Sequence, residues 1–139
     1  MALLRSVEDA RRFALAGRAV LTLTSRRTGA RFTYRVRRAE DKDDLHFVGL
    51  LTGPDNTGDF TYIGVLSGGR FRLTAKSRST MEAPSVRAVD FFARKVLCEG
   101  VLPEELEVRH EGRCGRCGRA LTVPESIDRG IGPECQHRV

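Results

Sequence analysis

The sequence predicts an α+β fold: an antiparallel β-meander packed by a helix, followed by a small C-terminal module that holds three of the four cysteines. Three observations predict it. Five short runs alternate apolar with polar residues and are joined by hairpin-length connections, the pattern of consecutive antiparallel strands. Residues 84–98 repeat apolar residues at helical spacing. Beyond residue 106 that patterning gives way to cysteines and glycines at short, fixed intervals.

Taken in order, residues 6–16 predict a helix. Ser6 with Asp9 has N-cap spacing, Gly17 marks the stop, and Val7, Ala10, Phe13 and Ala14 share a face. Strands are expected over 19–25, 31–38, 45–51, 60–66 and 70–75. Arg26 to Gly29 and Ser67 to Gly69 read as tight turns, Glu40 to Asp44 as a polar connection, and Gly53 to Asp59 as a longer loop. The acidic connection lacks the glycine and terminal glutamate of a calcium loop, so it reads as a solvated turn. In residues 84–98, Pro84 suits a first turn and Gly100 a stop. Val86, Val89, Ala93, Val96 and Leu97 form one stripe, with Phe92 at its edge, that should cover the apolar face of the sheet. Cys98, at its end, is expected as a small core residue. A final strand over 106–109 leads to His110. The expected organisation is a domain over 1–106 and a module over 107–139.

The module carries the strongest chemical signal. Cys114 and Cys117, each followed by glycine, have the spacing of a metal knuckle, and Cys135 follows a second turn at Gly130 to Pro133. Gly115 and Gly118 are expected to permit the sharp turn by tolerating positive φ. Zinc takes four tetrahedral ligands, so a histidine must join the three thiolates. His110 is the favoured candidate, four residues before Cys114, and His137, two residues after Cys135, is the alternative. The segment is charged from Arg5 on, so no signal peptide is expected, and in a reduced cytoplasm metal is a better fate for these thiols than a disulfide. Between the cysteines a short helix is expected, with Thr122 and Glu125 as a capping box and Gly130 as its left-handed stop. So few apolar residues do not fold alone, and structural zinc can supply about 10–16 kcal/mol in small fingers.

The run Arg113-Cys114-Gly115-Arg116-Cys117-Gly118-Arg119, with Pro124-Glu125-Ser126 and Gly130-Ile131-Gly132-Pro133-Glu134-Cys135, resembles a small zinc-knuckle domain family of uncharacterised function found in phage, prophage and plasmid proteins. Arg31 to Val36, Leu51 to Asn56 and Lys76 to Arg78 resemble the usual upstream half of those proteins. The resemblance implies a phage or mobile-element accessory protein and brings no activity with it.

Charge divides unevenly. Residues 107–139 hold six Arg and five acids, a balance of +1 that zinc on three thiolates would bring to about zero. Of the +6 total, the remaining +5 lies in residues 1–106. In 31–37, Arg31, Thr33, Arg35 and Arg37 should oppose Phe32, Tyr34 and Val36. In 70–75, Arg70, Arg72 and Thr74 should oppose Phe71, Leu73 and Ala75, with Lys76 and Arg78 extending that row. If both rows share one side of the sheet they form a basic platform suited to phosphates; the alternative readings of such a face are a merely solvated outer surface and a surface for an acidic protein partner.

There is no P-loop or Rossmann glycine pattern, and His46 stands alone in a strand, so a nucleophile–base pair has little material. No run is long enough to span a membrane. The expectation is a non-enzymatic phage or mobile-element accessory protein of the bacterial host cytoplasm, with structural zinc and a basic nucleic-acid-binding face. The alternative is a protein-interaction module, such as a phage-encoded inhibitor of a host defence or nucleic-acid-processing protein.

Overall fold

A computed structural model describes residues 2–55 and 58–137. Asn56 and Thr57 of the expected 53–59 loop lie outside the described residues. The chain forms a seven-stranded antiparallel sheet with helices on one face, an α+β fold. In chain order the elements are β1 (Ala2–Leu4), α1 (Val7–Ala14), β2 (Arg18–Ser25), β3 (Arg31–Arg38), β4 (Leu45–Leu51), β5 (Phe60–Ser67), β6 (Arg70–Arg72), α2 (Pro84–Phe92), β7 (Leu106–His110) and α3 (Pro124–Arg129). Across the sheet the strands run β1-β7-β2-β3-β4-β5-β6. The meander over β2–β6 is therefore as expected, while β7 lies between β1 and β2. The expected boundary at 106/107 falls inside β7, so the cysteine module grows out of an interior strand.

One register row crosses the sheet as Ala2–His110–Leu21–Tyr34–Leu50. Its side chains face the helices. The Tyr34 hydroxyl donates to the Ser85 carbonyl at the start of α2, and the His110 ring packs 5.5 Å from the Phe13 ring of α1. Both helices thus cover the same face. The core between them includes Phe13, Tyr34, Val48, Val89, Phe92 and Val96.

Helix ends follow the local chemistry in part: α1 ends at Ala14, short of the expected stop at Gly17. Ser6 caps α1 by accepting from the Asp9 N–H at 3.1 Å. Gly130 closes α3 at φ +75°, as a left-handed stop requires. The expected Thr122 capping box is absent: the N-cap is Val123 and no side chain caps α3. Pro124 suits the first turn because it has no N–H to satisfy. After Phe92 the helix widens into a π-helical segment, Ala93–Cys98, with the Glu99 N–H bonded to the Arg94 carbonyl. Cys98 is exposed rather than in the core, and its thiol donates to the Gly69 carbonyl.

Candidate functional site

The knuckle hangs from β7. After His110 the chain turns at Gly112, and a bridge between Arg113 and Ala120 closes a small loop around the first two cysteines. Inside it the Gly118 N–H bonds the Cys114 carbonyl at 2.9 Å and the Cys114 N–H bonds the Arg119 carbonyl at 2.8 Å. Gly118 has φ +80°. Gly115 does not have positive φ, contrary to expectation; it is needed for space, because a Cβ there would lie 2.7 Å from Phe13 Cδ1. On the far side α3 and Gly130 return the chain, and Cys135 opens a 3-10 turn that ends at His137.

The result is a cluster of three sulfurs, Cys114, Cys117 and Cys135, within 4.8 Å of one another. Tetrahedral zinc with bonds of about 2.3 Å needs sulfurs about 3.8 Å apart, so the group fits a metal ion. Cys114 and Cys135 are buried. Burial raises the Cys114 thiol, but the Gly132, Cys117 and Arg116 N–H groups and the Cys117 thiol outweigh it and bring it to about 7. The Gly132 N–H donates to Cys114 Sγ at 3.3 Å, and the Arg116 guanidinium to Cys135 Sγ at 3.7 Å. Burial pushes Cys135 up despite that guanidinium. Donors aimed at sulfur favour the thiolate, the form that ligates metal.

Neither histidine belongs to the cluster. His110 is fully buried, and both ring nitrogens are taken by backbone: Nδ1 accepts from the Gly112 N–H at 2.9 Å, so Nε2 carries the proton and donates to the Ile127 carbonyl at 2.6 Å. Through these two bonds the ring of the favoured candidate ties β7 to the knuckle and to α3. Burial, the largest influence, lowers its pKa and keeps it neutral. His137 is exposed, its Nε2 3.5 Å from the Gln136 side-chain nitrogen.

Phe13 joins the module to the sheet domain. Its ring touches His110 and lies beneath both Gly115 and Gly130, where a Cβ on Gly130 would come within 2.6 Å of Cδ1. The Arg18 N–H bonds the Gly115 carbonyl at 2.7 Å, and the Arg12 guanidinium donates to the Gln136 carbonyl. Ala16 shares a buried cluster with Cys114, Ile131 and Cys135.

The sheet face opposite the helices carries the arginines. One row reads Arg18–Arg37–Phe47–Val65–Arg72, and the next reads Val20–Arg35–Gly49–Tyr62. Arg31 and Arg70 lie on the same side by alternation, so the two expected basic rows do share one face. Arg18, Arg31, Arg37, Arg70 and Arg72 are exposed. Among the described residues no ion pair neutralises any of them, nor Arg35; Arg109, at the other end of the face, is paired with Glu107 at 3.3 Å. Burial first, then the Arg37 charge, lowers the Arg35 pKa. One expectation changes. Pairing of β6 ends at Arg72, so Lys76 and Arg78 sit in the loop beyond it, where the Arg78 N–H bonds the Tyr62 carbonyl. The Thr33 hydroxyl, between the arginines, bonds Thr22 at 2.7 Å.

Aromatic residues share this face. Phe47 is 45 % exposed and meets Tyr62 edge-on at 6.4 Å, while the Arg35 guanidinium stacks 4.9 Å above the Phe60 ring. The Tyr62 hydroxyl is held by Thr74 at 2.8 Å. Alternation alone identifies Phe47 but not its partners. The register shifts at Val48/Gly49, so Tyr62 and Val65 face the same side although they are three positions apart.

Residues 104–139, from just before β7 through the last turn, match a family described as "Family of unknown function (DUF6011)". An uncharacterised family is what the motif resemblance implied for this region. No curated protein and no solved structure matches the chain. Among the described residues no helix is long and apolar enough to cross a membrane.

Proposed function

We propose that this is a non-enzymatic accessory protein, of the kind carried by phages and mobile elements, in which zinc on Cys114, Cys117 and Cys135 is structural and the arginine face of the sheet binds nucleic acid. The phage setting is supported only by the motif resemblance. Three observations support a structural metal: the sulfurs converge, two of them are buried, and the module around them has little other core. His137 is the fourth ligand in this proposal, because His110 is occupied at both nitrogens and His46 bonds the Leu15 carbonyl elsewhere. When bound, zinc would tie the ends of the module together, which supplies folding energy and no reaction.

The observation that carries the nucleic-acid proposal is the direct opposition of Arg18 and Arg37 on adjacent strands, neither of them ion-paired with an acid among the described residues. Like charges placed opposite each other on a sheet destabilise it. A polyanion would relieve that repulsion and release counterions on binding. The test is affinity for mixed-sequence nucleic acid over a range of salt. Replacing Arg35, Arg37, Arg70 and Arg72 by Ser should weaken binding about uniformly across sequences and reduce the salt slope by roughly one for each phosphate no longer neutralised. A Cys114→Ser, Cys117→Ser variant should lose metal and most of its tail structure while keeping most of that affinity. If the cysteine variant loses binding and the arginine variant keeps it, the working surface is the module. If the wild type binds no nucleic acid, the protein-partner alternative takes its place.

A further inference from the structure

Resting on the nucleic-acid proposal above, we infer that the open sheet face takes single-stranded nucleic acid, with unpaired bases stacking on Phe47 and Tyr62 while the flanking arginines hold the phosphates. The register places these groups together. Phe47 follows Arg37 in one row and Tyr62 ends the row of Arg35, with Arg18 on one side and Arg72 on the other. Aromatic rings therefore lie inside a frame of unpaired cations, not beside it.

A phosphate surface alone does not need this arrangement. Arginine and lysine suffice for duplex phosphates, and in a duplex the base faces are stacked on one another, leaving only groove edges to read. Rings presented on a sheet suit bases that have left the stack, since every base offers a π-face. Phe47 is the large apolar side chain left open here: it is 45 % exposed, while Val65 beside it is 4 % exposed. Tyr62 is held in place by its hydroxyl bond to Thr74 and its edge contact with Phe47, so its ring is oriented before any ligand arrives. Arg35 already stacks on Phe60, which shows the face accommodating a planar cation on an aromatic ring. Glu107, an acid on this face, is engaged by Arg26 and Arg109.

The experiment compares fluorescence-anisotropy binding of three probes: a 20-nucleotide mixed-sequence single-stranded DNA, the same sequence as RNA, and the DNA duplex. Wild type should prefer at least one single strand over the duplex. Phe47→Ala should weaken single-strand binding about tenfold, leave duplex binding unchanged and leave the salt slope unchanged, because stacking releases no counterions. Phe47→Trp should restore the affinity. Phe47 is half exposed, so its truncation leaves the core intact, and circular dichroism checks this. An abasic strand of equal length should bind Phe47→Ala and wild type alike. A preference between the DNA and RNA strands identifies the natural sugar, and equal binding means the face does not read it. If strand and duplex bind equally and Phe47→Ala changes neither, stacking is overturned while the phosphate proposal survives. If no probe binds wild type, both fail.

Discussion

The packing of Phe13 offers the sharpest test of how the cysteine module is held. Phe13 is 1 % exposed, and its ring occupies the space a side chain on Gly130 would need. Phe13→Ala should cost about 3–5 kcal/mol through lost burial and a cavity. Gly130→Ala carries two separate costs: about 1–2 kcal/mol for a Cβ at φ +75°, and about 1–3 kcal/mol for driving that methyl into the ring at 2.6 Å. Independent effects would sum to about 5–10 kcal/mol, as much as a domain of this size has in total. In the double variant the ring is gone, so the overpacking cost disappears and only the backbone cost remains. The double variant should therefore be about 1–3 kcal/mol more stable than additivity allows. Urea unfolding of the zinc-loaded protein measures this; with a slope of about 2 kcal/mol/M, the non-additivity is a midpoint difference of roughly 0.5–1.5 M. Zinc retention, followed with a chromogenic chelator, should fall in Phe13→Ala as well, because α1 supports the loop of Cys114. Additivity within about 0.5 kcal/mol, or unchanged zinc retention in Phe13→Ala, would refute the assignment of Phe13 as the support.

Metal analysis should find one zinc per chain. His110→Ala should keep that stoichiometry while losing about 2–4 kcal/mol of stability, since it empties a fully buried site and strands the half-buried Ile127 carbonyl and Gly112 N–H; loss of zinc in this variant but not in His137→Ala would reinstate His110 as a ligand. Acid should destabilise the fold through its buried histidines. Burial chiefly lowers both His46 and His110, so the folded state takes up protons later than the unfolded chain. Their contribution is present above the ordinary histidine pKa and is lost as pH falls below about 6.5, by at most about 1.4 kcal/mol per pH unit for each. His46→Gln keeps a donor to the Leu15 carbonyl and removes one titration, so it should flatten the stability profile between about pH 6.5 and 5; a profile as steep as wild type's counts against a neutral buried His46.

Much of the fold was legible because it is written in short-range patterns. Alternation over residues 31–38, the Gly130 stop after α3, and the Ser6 cap are decided by neighbours a few residues away, and the structure keeps these, while α1 ends at Ala14 with Leu15 as its C-cap, short of the expected stop at Gly17. The cysteine spacing is equally local: two cysteines three positions apart with glycine after each can converge only through a tight knuckle, and a third past Gly130 joins them.

What the sequence could not determine depends on which distant segments meet. β7 reads as a strand from its own residues, but its place between β1 and β2 follows from long-range pairing, which puts position 106/107 inside the sheet. His110 sits at a good ligand spacing, yet burial under Phe13 and α3 gave both its nitrogens backbone partners, which no spacing rule can foresee. Gly115 looked like a residue chosen for its φ and proved to be chosen for the absence of a Cβ against a ring about a hundred residues away in sequence. The basic rows and Phe47 were visible from alternation, but the placing of Tyr62 beside Val65 on the same face was not. A register shift at Val48/Gly49 resets which side of β5 faces outward, and period-two reasoning fails wherever one strand carries an extra residue.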